Sequence, residues 1–286
     1  MKPFALCLAL TMLAAGCSKD EETPEIQGSS EATINHESTV LSSIPSEWIT
    51  KARQTLHIAY GHTSHGSQLT SGMTELAGFK GSAYAWNEGG NNGALDLRDY
   101  AMDGDLGNPD RTTWASRTRT YLDANTDINV IIWSWCGEVS SATEADINTY
   151  LSLMNDLESD YPDVSFVYMT GHLDGTGLTG NLHLRNQQIR DYCKTNKKLL
   201  YDFEDIESYN PDGVYFGNKK PNDNCDYDSD GNGSLDSNWA IEWQNSHTEG
   251  VDWFDCYAAH SQPLNGNLKA YAAWWLWARI AGWDGN

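Results

Sequence analysis

Residues 127–133 read Asp-Ile-Asn-Val-Ile-Ile-Trp, and the Val130-Ile131-Ile132 core of this run has no polar interruption. A strand this uniformly apolar must be covered on both faces, which is the environment of a parallel sheet between helical layers. Shorter strand-like runs at Leu56–Tyr60, Val164–Met169 and Lys198–Phe203 are spaced by helical patterns. One helix is expected over Ser67–Phe79, with Leu69, Met73 and Leu76 on one face. A second starts at Asp110 and holds Trp114 and Tyr121. A third is opened by the capping box Ser141-x-x-Glu144 and buries Ile147, Tyr150, Leu151, Met154 and Leu157. Further helices are expected at Asn181–Lys194 and at the end of the chain, where Leu268, Tyr271, Trp275 and Ala278 mark the core face. A short one is expected after Ser46 as its cap. Alternating strands and helices predict an α/β domain with a central parallel sheet.

In such sheets ligands gather beyond the carboxyl ends of the strands. The three clearest strands run into Gly61-His62-Thr63-Ser64, Trp135-Cys136-Gly137-Glu138 and Thr170-Gly171-His172, so these polar clusters are expected at one edge. Ser64 lies in a tight strand-to-helix turn between Gly61 and Gly66. Such a turn holds a hydroxyl clear of the sheet and aims amides at a developing oxyanion. His260, just before the last helix, is the candidate base, with Asp255, or Asp252, to orient it. His62, His65 and His172 are candidate substrate-binding groups, and the Gly137 amide a candidate oxyanion donor.

The segments G-H-T-S-H-G, M-T-G-H-L-D-G, L-Y-D-F-E-D-I-E-S-Y and the A-H-S-Q-P-L-N stretch before the last helix resemble an outlying branch of the SGNH (GDSL-like) hydrolase superfamily, over about residues 54–284. The resemblance implies a flavodoxin-like three-layer sandwich and a serine esterase, of the kind that in exported bacterial members deacetylates polysaccharides. The chain departs from that pattern at three places. The usual G-D-S is G-H-T-S, the G-x-N-D block is Ser134-Trp135-Cys136-Gly137-Glu138, and Asp255 stands five residues before His260.

The amino-terminal segment carries Lys2, an apolar run from Phe4 to Leu13, and Ala14-Ala15-Gly16-Cys17. It reads as a secretory signal over residues 1–16, too short to span a bilayer. Its ending resembles a lipobox, which implies acylation of Cys17 and a place at the bacterial outer membrane or cell surface. Residues 17–43 read as a flexible acidic tether and 44–286 as the domain. Net charge is −22, which repels nucleic acid and anionic membranes. The lipid is then the membrane contact, and a monomer is expected. Cys136, Cys193, Cys225 and Cys256 allow two disulfides, with Cys225–Cys256 the favoured pair. Cys136 reads more readily as half of a disulfide than as a nucleophile.

Asp228, Asp230, Asn232, Ser234 and Asp236 set oxygen donors in the pattern of the first nine positions of an EF-hand loop, with Gly233 at the turn. This predicts a structural calcium clip within an insertion at about 205–260. Position twelve is Trp239 where a glutamate is needed, with Glu242 or Asp226 as stand-ins. Twelve tryptophans, several at loop-like positions such as Trp86, Trp135, Trp239, Trp243 and Trp253, are consistent with a carbohydrate ligand. Two other functions compete with the esterase. One is a non-catalytic glycan-binding lipoprotein. The other is a metal-dependent enzyme using His62, His65, His172 or His260.

Overall fold

A computed structural model describes Met1 and residues 31–286. The expected signal, the lipobox and Cys17 lie outside the described residues. Seven strands form one sheet: β1 Ala32–Ile34, β2 His57–Gly61, β3 Trp86–Asn87, β4 Leu95–Arg98, β5 Val130–Trp133, β6 Ser165–Met169 and β7 Leu199–Tyr201. Every pairing is parallel, and the spatial order is β1-β7-β6-β5-β2-β4-β3. Without the two edge strands, the order β4-β2-β5-β6-β7 is the flavodoxin-like 2-1-3-4-5 arrangement. All four residues of β5 are buried, as its unbroken apolar run requires.

Helices flank the sheet. α1 Ser46–Thr55, α2 Ser67–Lys80, α3 Thr113–Ala124, α4 Glu138–Ser141, α5 Glu144–Asp160, α6 Asn181–Asn196, α7 Phe203–Ile206, α8 Trp239–Ser246 and α9 Pro263–Ile280 follow in chain order. α1 and α2 pack on α9, while α4 and α5 pack on α6, and α3 on α5. The expected helices and strands are present, with ends shifted by a few residues.

Several local expectations are corrected. Residues 32–34, read as tether, form an edge strand: Ala32 and Ile34 are buried against β7, and Ile34 O accepts from Asp202 N at 2.8 Å. Two buried apolar residues suffice for an edge strand, and the surrounding polar residues concealed them. The capping box of α5 is Thr143 with Asp146 rather than Ser141 with Glu144. Ser46 is the first residue of α1 and makes no cap bond. In α9 the expected core face is only part of the truth. Leu264, Ala270, Trp274 and Trp277 are buried, while Tyr271 and Trp275 are half-buried, because the helix is covered nearly all round.

The four cysteines outside the amino-terminal segment are free, so the expected Cys225–Cys256 disulfide is absent. The Cys225 thiol lies 3.5 Å from the Ser261 hydroxyl, and the Cys256 thiol donates to Pro263 O at 3.4 Å. Both are buried as small apolar groups. The EF-hand-like run is the turn of a hairpin between β8 Asp226–Tyr227 and β9 Ser237–Asn238. There the Asp228 carboxylate accepts the amides of Gly231, Asn232 and Gly233.

Candidate active site

The chain leaves β2 outward to β3 and β4, then returns to β5 on the other side of β2. The strand order therefore reverses between β2 and β5, which is where a doubly wound sheet opens a crevice. Gly61 is in register with Trp133, so the turns that follow β2 and β5 start level with one another. Close packing fixes the first turn. A Cβ on Gly61 would lie 2.5 Å from the Trp133 ring, and one on Gly66 would collide with the His62 side chain. The glycines thus admit protein side chains rather than substrate.

His65 from the β2 turn meets Cys136 from the β5 turn, with 3.2 Å between Nδ1 and Sγ. Its Nε2 lies 2.9 Å from Asp223 Oδ2. A carboxylate can only accept, so Nε2–H donates to Asp223, and Nδ1 of the neutral ring presents a lone pair to the thiol. Burial outweighs the pull of the Asp223 hydrogen bond and, with smaller pushes from the neighbouring His172 and His260, lowers the His65 imidazole to about 4. Burial alone would raise the Asp223 carboxyl. The His65 hydrogen bond, the nearby His172 and the Asn224 amide overrule it and hold Asp223 below the usual carboxylate range.

His65 is the middle ring of a stack. His172 lies on one side at 3.7 Å between centroids, with planes 3° apart, and His260 at 4.5 Å. His172, 9 % exposed, donates from Nδ1 to Leu173 O at 2.8 Å and leaves its Nε2 buried with no partner among the described residues. The strap that carries His172 is pinned from below. Glu207 accepts from Leu173 N, from Lys269 Nζ at 2.6 Å and from Asn265 Nδ2 at 3.3 Å. Lys269 is fully buried, donates also to Gln68 Oε1 at 2.5 Å, and lies over the Phe203 ring. Burial lowers the Lys269 ammonium and raises the Glu207 carboxyl.

The fold gathers some expected site residues and separates others. Ser64 is half-buried in its turn, and among the described residues no histidine bonds its hydroxyl; its carbonyl accepts from Ser67 N and Oγ. His260 is exposed, held at φ +62°, and meets the site by stacking. Asp255 is exposed and makes no bond to His260 among the described residues, while Asp252 accepts from Thr248 N. His62 is engaged at both nitrogens, by Asp99 at 2.7 Å and Thr63 O at 2.8 Å, so neither is left for a reacting proton. Gly137 leads into α4, and a Cβ there would meet nothing within 4 Å.

Ligand atoms of His65, His172 and Asp223 lie within 4.8 Å of one another. An imidazole lone pair lies in its ring plane, and planes 3° apart at this spacing do not converge on one ion. A metal shared by both rings would require one of them to turn. In the hairpin loop, Asp228, Asp230 and Asn232 side chains turn onto the loop's own amides, and Ser229 N donates to Asp236. Trp239 is buried, Glu242 accepts from the Tyr227 hydroxyl, and Asp226 accepts from Asn224 and Asn238. The oxygen set keeps the pattern of the first nine positions of a calcium loop, and both expected stand-ins for the twelfth, Glu242 and Asp226, are engaged elsewhere.

From the sequence, Cys136 is assigned to a disulfide rather than to the site, and Asp223 is passed over. Cys136 stands at the end of the most apolar strand, next to a glycine, and that position was the available signal. Asp223 arrives from a loop 158 residues away from His65, and no local pattern announces it. The tryptophans also change role. Trp135, Trp239 and Trp243 are buried, and Trp86 and Trp253 pack on the core. Large exposed aromatics are instead Tyr100, Tyr215 and Tyr257, the last 76 % exposed.

Fold and site together define a doubly wound α/β protein with a thiol, an imidazole and a carboxylate in one hydrogen-bonded chain at its switch point. Compared with known protein families, with curated proteins and with solved structures, the chain finds no match.

Proposed function

We propose that the protein is a hydrolase that removes an acyl group from a carbohydrate ester, an acetyl group in the simplest case, as the SGNH resemblance implies. The observation that carries this reading is His65 itself. Asp223 fixes its tautomer, and its second nitrogen offers a lone pair at the switch point of the sheet. A neutral imidazole so oriented is a general base for a nucleophile and, once protonated, an acid for the leaving alcohol. The base is therefore His65 with Asp223, in place of His260 with Asp255.

A neighbouring cavity of about 250 Å³ supports a hydroxylated substrate. Leu173 and Asp174, on the strap that carries His172, form one wall of it, and Asp202, Glu204 and Tyr215 line it too. Its Arg190 is already committed to Asp202, at 2.6 and 2.7 Å, and to Glu204 at 2.7 Å. With Arg190 engaged by these carboxylates, the acidic lining suits a neutral hydroxylated ligand over one that carries acid groups.

The test is acetate release from a panel of neutral acetylated polysaccharides. Asp223→Asn and His65→Gln are each expected to lower kcat/KM by about 100-fold or more, the usual worth of a positioned base. Release unchanged in both variants would remove this pair from the mechanism. Saccharide binding by wild type without any release would favour the glycan-binding lipoprotein. A structural calcium ion at the hairpin loop is part of the same proposal, held weakly by Asp228, Asp230, Asn232, Ser234 and Asp236.

A further inference from the structure

Acyl transfer needs a nucleophile as well as a base, and two side chains compete for that role. We propose that the nucleophile is the thiol of Cys136, so that the site is a Cys136–His65–Asp223 triad working through a thioester. The inference rests on the acyl-transfer reading of the same site.

Cys136 is the group that His65 Nδ1 faces, at 3.2 Å, while the Ser64 hydroxyl has no base among the described residues. Cys136 is half-buried where the other three described cysteines are buried, and the space over the adjacent Gly137 is open. Cys225 and Cys256 are buried, which pushes each thiol up to about 12, and burial raises Cys193 further. Those three are packing groups. The unpartnered Nε2 of His172, enclosed against the same ring stack, is a second sign of a site prepared for a ligand or water. A buried acceptor with no donor is costly until one arrives.

The step balances without any co-reactant but water. Cys136 Sγ bonds to the ester carbonyl carbon as its proton passes to His65 Nδ1, and the carbonyl π pair moves onto oxygen. Collapse of this oxyanion breaks the carbon–oxygen bond. The departing sugar oxygen takes the proton from Nδ1 and leaves as an alcohol, with the acyl group held as a thioester. Water then gives a proton to Nδ1 and adds to the same carbon. The carbon–sulfur bond breaks, sulfur recovers the proton, and the free acid leaves. Asp223, ionised beside Nε2–H, offsets the charge that His65 carries between the two transfers.

Three measurements test it. Cys136→Ala is expected to lower acetate release by about 100-fold or more, with Ser64→Ala within about tenfold of wild type. Acid quench of wild type with 4-nitrophenyl acetate, then peptide mapping, should find one acetyl group on the Cys136 peptide, lost in neutral hydroxylamine. An acetyl group on the Ser64 peptide, or full activity in Cys136→Ala, would overturn the proposal. Alkylation by iodoacetamide reads the thiol without any ester. Cys136 should react about tenfold faster in wild type than in His65→Gln, and equal rates would count against the triad. Fast alkylation in a protein that hydrolyses none of the esters would overturn the acyl-transfer reading and leave the activated thiol standing.

Discussion

At the scale of single residues the protonation of His65 decides most. The folded imidazole titrates at about 4, against about 6.5 for an unconstrained histidine. The base is unprotonated above the lower value, so kcat/KM should rise through about pH 4 and be flat by pH 6. A pH–rate profile with its acid limb near 6.5 or above would rule out His65 as the base. The same group links pH to stability. Between about 4 and 6.5 the unfolded chain holds a proton that the folded state does not, so this contribution is complete above 6.5 and lost as pH falls through 4. That several histidines and a serine meet at strand ends was legible from G-H-T-S-H and T-G-H. Which imidazole serves as base was not, since the choice depends on Asp223, brought in from a distant loop.

Elements explain why the site stays in place. α9 carries Lys269 into the core, where it meets Glu207, just beyond α7, and Gln68 of α2. Glu207 in turn pins the strap of His172 through Leu173 N. Lys269→Met would strand Glu207 without its cation, at a cost of about 3–5 kcal/mol. The urea midpoint should fall accordingly, and adding Glu207→Gln should recover part of the loss, because the amide still accepts from Leu173 N. A single-variant loss below about 1 kcal/mol would show that the pair carries little of the strap's order. The apolar periodicity of α9 was plain in the sequence, but a lysine on a nearly fully buried helix was not. Periodicity reports the average environment of a face, not the one carboxylate waiting at a single turn. The Thr143 and Asp146 cap was similarly missed, because an acidic residue was available at both candidate spacings.

At the scale of the whole molecule, the parallel sheet was legible from alternating strands and helices, while its flavodoxin-like strand order came only with the resemblance, because the alternation does not say which strands are neighbours. β1 shows the limit: three residues carry too little pattern to separate an edge strand from a tether. The hairpin loop belongs to this scale too, since it ties the segment before α8 to the rest. If calcium clips it, millimolar calcium should raise the melting temperature over a chelated sample and micromolar calcium should not, given the missing closing carboxylate. Identical melting in both would reduce the run to an acidic turn. One consequence follows from the parallel direction of all seven strands. The chain enters β1 at the amino edge of the sheet, and the triad lies at the carboxyl edge. A ligand bound for the triad therefore approaches from the end of the sheet opposite the start of β1.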